Sequence, residues 1–229
     1  MMVEKIFLIK DVRAREVLDC RGEPTVEVDV ITEGGILGRA DVPRGRSRGS
    51  YEAVDLRDGG RRFRGKGVLK AVKNVHEVIA PALRGMDVRE QREIDMTMVE
   101  LDGTENKSRL GGNATTGVSL AVAKAAANAL GLPLYRYIGG VGAHILPTPV
   151  LDLIEGGLLA ASDLDFQEHQ VMPIGAESFS EAIRMGLEVY YELGEILARK
   201  CGKHSLNVGV EGGYTPLGMK DPREAFDAE

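Results

Sequence analysis

Two acid-bearing stretches and one basic loop hold the side chains that can do chemistry. Glu211 stands in Asn207-Val-Gly-Val-Glu-Gly-Gly213, fenced by glycines. By spacing alone it reads as a turn or helix-start glutamate, because isolated carboxylates are common on surfaces. Gln167 and Glu168 open the run Gln167-Glu-His-Gln-Val-Met-Pro-Ile174. They read either as a polar strand end or as the kind of strand end on which sites are built. Ser47 sits among Arg44, Arg46 and Arg48 in the loop Pro43–Gly49. Those arginines can grip an anion such as phosphate; the plainer reading is a solvated basic loop. His76, His144 and His204 read as ordinary surface or core histidines, and His169 is not taken as a site residue.

The elements that must position these groups come from a chain of 229 residues, enough for one large domain or two small ones. Its hydrophobic share of 43% supports a sizeable core. A net charge of −6 argues against a general nucleic-acid binder. No run approaches ~18 consecutive apolar residues, so no transmembrane helix is expected. The N-terminal apolar stretch Ile6–Ile9 is too short for a signal peptide. Cys20 and Cys201 lie far apart and form no CxxC, which fits free thiols in a reducing cytoplasm.

The first 42 residues read as an antiparallel meander. Val26, Val28 and Val30 alternate with Glu27 and Asp29, predicting one buried and one wet face. Gly34-Gly35 supplies the turn into Ile36–Val42. Helical spacing follows: Val68, Leu69, Val72, Val75, Ile79 and Leu83 form a stripe broken off by Pro81 with Gly85. Asp87 with Glu90 suits an N-cap and its reciprocal partner. Gly117–Leu130 reads as an alanine-rich helix stopped by Gly131 and Pro133, its small side chains allowing close packing. The texture shifts near Gly139-Gly140. Ile145–Ile154 and Gln167–Ile174 read as strands. Next comes an amphipathic helix with Ser178 and Glu181 as a capping box, Ile183, Leu187, Tyr190, Leu193 and Leu197 as its buried face, and Gly202 as its stop.

Several long motifs then stand in a recognisable order. Leu101-Asp-Gly-Thr-Glu-Asn-Lys-Ser-Arg-Leu-Gly-Gly-Asn-Ala-Thr-Thr-Gly-Val-Ser-Leu120 resembles the LDGT-NKS-LGANA-LGVS segment of the enolase family. Leu18–Val28 resembles its LDSRGNPTVEV, Tyr51–Gly59 its YEALELRDG, and Gly65–Val72 its GKGVLKAV. Pro173–Phe179 and Asn207–Gly213 continue the match, which covers essentially the whole chain. The resemblance implies an α+β N-terminal domain over residues 1–140, a three-stranded antiparallel meander plus helices. It implies an incomplete ββα(α) start of an enolase-type α/β barrel over residues 141–229. A closed α/β barrel takes about 250 residues, so an open sheet edge is expected.

The family dehydrates 2-phosphoglycerate to phosphoenolpyruvate in glycolysis. A lysine removes the proton, a glutamate helps hydroxide leave, and Mg²⁺ neutralises the developing charge. The resemblance puts Glu211 at the general-acid position, in the family's DEGG motif, with Val210 where the family has aspartate. It makes Gln167 and Glu168 substrate-binding residues, with Glu168 supporting the acid. It makes Ser47 the second-metal position, in a loop where PSGASTG has become Pro43-Arg-Gly-Arg-Ser-Arg-Gly49. The family's NGGSHAG is Glu155-Gly-Gly-Leu-Leu-Ala-Ala161, so Leu159 replaces the substrate-site histidine. The catalytic-metal carboxylates, the base lysine and the remaining substrate ligands lie on later barrel strands, and no residue here matches them. The expectation is an enolase-like chain that does not turn over 2-phosphoglycerate by itself. One alternative is a genuine enolase chain or fragment completing its site with another chain. Another is a non-catalytic dimerisation or assembly module, since enolases associate through the end of the molecule that carries Asp19–Pro24. The expected partner is a second copy, or another chain covering the open edge, with no nucleic acid and no membrane.

Overall fold

The computed structural model describes residues 5–45 and 48–229. Two compact units divide the chain, one ending at His144 and the other beginning at Ile145.

In the first unit, β1 (Ile9–Leu18), β2 (Pro24–Thr32) and β3 (Leu37–Asp41) form an antiparallel sheet in the order β1-β2-β3. Val26, Val28 and Val30 are fully buried, as their alternation predicts. The opposite face of β2 is not wet. Asp29 is only 6% exposed. Its carboxylate takes Arg39 Nε at 2.6 Å and Nη2 at 2.8 Å from β3, and Arg15 Nη1 at 2.9 Å from β1. The paired guanidiniums hold its carboxyl down at about 2, against the desolvation that opposes them.

The helices follow. α1 (Leu69–Asn74) runs through a π turn (Val75–Ile79) into α2 (Ala80–Leu83), all on the predicted stripe. Pro81 lies inside this continuous run, directly after the π turn, and the stop comes only after Leu83. α3 (Gln91–Asp102) starts later than the Asp87/Glu90 reading. Glu90 makes no side-chain cap. Asp87 binds Arg89 instead, through both backbone and guanidinium. α4 (Gly112–Ala129) begins five residues before the predicted Gly117 and packs on β2 and β3. Its alanines permit that approach. A Cβ on Gly38 of β3 would lie 2.1 Å from the Ala121 carbonyl oxygen and 2.3 Å from the Ala125 nitrogen. α5 (Leu134–Gly139) closes the unit.

The Leu101–Leu120 motif is an internal brace. Asp102, 1% exposed, accepts the Leu110 N–H at 2.6 Å, the Thr104 N–H at 3.0 Å and the Thr104 hydroxyl. Burial pushes its carboxyl up, but those donors win and hold it below its ordinary value. Asn113 bonds both backbone groups of Leu56, at 3.2 and 3.1 Å.

In the second unit, β4 (Leu151–Glu155) pairs antiparallel with β5 (Glu168–Val171). α6 (Phe179–Cys201) follows, and α7 (Pro222–Phe226) ends the fold. Both strands are shorter than their apolar runs. Ser178 Oγ accepts the Glu181 N–H at 3.2 Å, which is half of the capping box. The other half is not made, because Glu181 binds Arg184. The buried face of α6 is Ala182, Gly186, Leu193, Gly194 and Leu197, and Leu187 is exposed. The two glycines turn that face: a Cβ on Gly186 would lie 2.2 Å from Leu151 Cδ1, and one on Gly194 would lie 2.6 Å from the Tyr214 hydroxyl. Among the described residues no single helix is long and apolar enough to cross a membrane.

Candidate functional site

An irregularity in the small sheet assembles the acids. Asp152 pairs with Gln170, Ile154 with His169 and Glu155 with Glu168, so β4 carries one extra residue between Asp152 and Ile154. Side chains alternate along a strand, and a bulge resets the alternation. Asp152 and Glu155, three positions apart, therefore share a face with Glu168 and Gln170. Ile154 and His169 turn into the core, where the His169 ring lies 5.2 Å from that of Phe226. His169, 1% exposed, is a packed core histidine.

The loop carrying Glu211 is tied to this face. Glu155 Oε1 accepts the N–H groups of Glu211 and Gly213, both at 2.9 Å. The Tyr214 N–H donates to the Leu153 carbonyl at 2.8 Å, and the Glu155 N–H donates to that of Tyr214 at 2.9 Å. Tyr190 of α6 stacks on Tyr214 and donates its hydroxyl to the Gly212 carbonyl at 3.0 Å. Gly212 has φ +101°, a left-handed backbone that a glycine takes without strain. The sharp turn after Glu211 requires it.

Glu211 thereby comes close enough to Glu168 and Gln167 for both to act on its carboxyl. Burial and the Glu168 carboxylate raise its carboxyl above the ordinary range, while Gln167 works the other way. The missing aspartate at Val210 therefore does not leave Glu211 without an acidic neighbour. Glu168 accepts from the amides of Gln167, at 3.1 Å, and Gln170. Asp152 is pushed up to about 7, first by burial and then by the charges of Glu155, Glu168, Glu211 and Glu229. The sequence drew attention to Gln167, Glu168, Glu211 and the replacement at Glu155; it did not single out Asp152. The available signal was an acid between Leu151 and Leu153 in an otherwise apolar run.

Leu159 lines a cleft of the same unit, about 390 Å³ in volume, with His204, Asn207, Gly209, Val210 and Thr215. In the first unit, Arg44 pairs with Glu23 and with Asp55, the latter at 3.1 Å, and Arg48 pairs with Asp55 at 3.0 Å. Arg57 joins the same Asp55 oxygen at 2.8 Å. Arg44 and Arg48 are thus neither simply solvated nor free for an outside anion. Arg46 and Ser47, with the second-metal reading of Ser47, lie outside the described residues. His76 has a structural job: its Nε2 accepts the Ala14 N–H at 2.9 Å.

A meander-and-helix unit followed by a strand pair with an acid-bearing loop at its end defines an α+β domain followed by a second, smaller α/β unit. Comparison with known proteins agrees. Residues 9–138 match the family profile "Enolase, N-terminal domain" and residues 143–228 match "Enolase, C-terminal TIM barrel domain". Enolases of Thermococcus gammatolerans and Pyrococcus furiosus are each 58% identical over 225 residues, 98% of this chain and 52% of theirs. That of Methanothrix thermoacetophila is 60% identical over 220 residues, 96% of this chain and 52% of its own. The chain belongs to the enolase family. It spans about half the length of the curated relatives it matches.

Proposed function

We propose that this chain supplies the acid side of an enolase site and does not by itself convert 2-phosphoglycerate to phosphoenolpyruvate. The observation that carries the reading is that Glu168 and Gln167 both act on the Glu211 carboxyl. A group that helps hydroxide leave must hold a proton to give. Burial and the adjacent Glu168 carboxylate favour the protonated form of Glu211, and the N–H groups of Glu211 and Gly213, both donating to Glu155 Oε1, fix where it stands. Glu168 thus favours the proton on its neighbour, and the family resemblance gives it the substrate contact.

The family generally uses Mg²⁺. The resemblance matches no described residue to the carboxylates that hold the catalytic ion, and a near-octahedral set of oxygen ligands is what Mg²⁺ demands. Leu159 also offers no hydrogen bond where the family has a histidine.

The alternative reading, a site completed with another chain, draws on apolar exposure in the second unit. Ile145 is 81% exposed, Leu158 fully exposed and Ile174 82% exposed. Groups of that size are covered by protein in stable assemblies. A second copy or a partner chain over the open edge, in a reducing cytoplasm suited to the free thiols Cys20 and Cys201, completes this reading.

The test is an assay of the purified chain with 2-phosphoglycerate and Mg²⁺. The expected result is no enol product above background. Turnover that Glu211→Gln abolishes would contradict the claim of inactivity while supporting the acid role.

A further inference from the structure

We propose that Asp152, Glu155 and Glu211 form a binding site for a hard divalent cation, with oxygen ligands from all three carboxylates. One oxygen of each lies within 4.8 Å of the others. That spacing suits a single ion held at ~2.3–2.6 Å by each oxygen, the range of Ca²⁺.

The side-chain surroundings point to a ligand. Glu155 is 1% exposed, yet its Oε2 has no hydrogen-bond partner. Both Asp152 oxygens are shielded from solvent and accept no hydrogen bond. Buried anionic oxygens are expensive unless paired or bound to a metal. No lysine or arginine answers them: among the described residues none of Asp152, Glu155, Glu168 and Glu211 takes part in an ion pair, although 21 such contacts occur elsewhere. Glu168 is beside the cluster but is engaged by the amides of Gln167 and Gln170.

The backbone closes tightly over the two strand carboxylates. A Cβ on Gly209 would lie 1.9 Å from Glu155 Oε2, and one on Gly213 would lie 3.0 Å from Asp152 Oδ2. Glycine at both positions lets the loop close over the carboxylates. Two ligands come from the bulged strand β4 and one from the loop that Glu155 itself anchors. All-oxygen donors favour Ca²⁺, Mn²⁺ or Mg²⁺ over thiophilic metals. The irregular arrangement favours Ca²⁺ or Mn²⁺ over Mg²⁺, with its stricter geometry.

The inference rests on these three side chains and not on the enolase reading. It goes beyond that reading: with a cation bound Glu211 stays ionised, and without one its carboxyl is open to a proton.

The test is Mn²⁺ and Ca²⁺ titration of the EDTA-treated chain without phosphoglycerate, by calorimetry and by Mn²⁺ paramagnetic resonance. One ion per chain is expected. Asp152→Asn, whose oxygens hold no protein hydrogen bond, is expected to weaken binding at least about tenfold with an unchanged circular dichroism spectrum, since one of three charged ligands is lost. Glu195→Gln, on the exposed face of α6, is expected to bind as the parent does. No binding at millimolar ion, equal binding by Asp152→Asn, or equal weakening by Glu195→Gln would each overturn the site. Because no substrate is present, none of these results bears on whether the chain dehydrates phosphoglycerate.

Discussion

The two units treat their carboxylates in opposite ways. In the first unit three are answered by donors. Asp29 has Arg15 and Arg39, Asp55 has Arg44, Arg48 and Arg57, and Asp102 has a nest of N–H and hydroxyl donors. In the second, Asp152, Glu155, Glu168 and Glu211 stand together without a cation. Paired charges hold the fold, and unpaired ones leave binding capacity for a proton or an ion. The difference separates scaffold from candidate site without reference to ancestry.

The comparison predicts effects of opposite sign. The largest is Asp102→Ala, which leaves several buried donors without an acceptor; it is expected to destabilise the first unit by about 3 kcal/mol in urea unfolding. Asp29→Asn comes next. It weakens a three-strand charge ladder whose arginines are half exposed, at an expected cost of about 2 kcal/mol.

The pH dependences also run oppositely. The carboxyl of Asp29 is lowered from 3.8 to about 2 on folding, so its contribution is present above 3.8 and is lost as pH falls through about 2. Asp152 is raised from 3.8 to about 7. Below 3.8 both its folded and unfolded forms hold the proton and it contributes nothing. As pH rises from 3.8 to 7, the unfolded form ionises first and the second unit loses stability. In divalent-free buffer, Asp152→Asn is therefore expected to stabilise the second unit at pH 8, by about 1 kcal/mol after allowing for solvent screening, and to do nothing at pH 3. Unit-resolved hydrogen exchange reads both trends. The smallest effect belongs to Glu195→Gln, which removes an exposed helix-surface pair with Arg199 and is expected to change stability by less than about 0.5 kcal/mol.

Much of this was legible in the sequence, for stated reasons. The alternating valines fixed the buried face of β2, and the alanines of α4 announced a close approach to the sheet. The second face of β2 was misread as wet, because alternation reports polarity and not whether arginines on both neighbouring strands will close over an aspartate. The face of α6 was read correctly at Leu193 and Leu197 but not at Leu187, because large apolar residues were counted while Gly186 and Gly194, which mark the tightest contacts, were not. In the candidate site, Glu211, Gln167 and Glu168 came from motif resemblance. Asp152 did not, because the extra residue in β4 that brings it onto the acid face has no signature in the one-dimensional pattern.

One measurement bears most directly on the contrast between answered and unanswered charge: carboxyl-carbon NMR titration of the labelled chain in divalent-free buffer. The structure predicts that Asp152 titrates near pH 7 and Asp29 near pH 2. Ordinary midpoints for both, close to about 4, would contradict it.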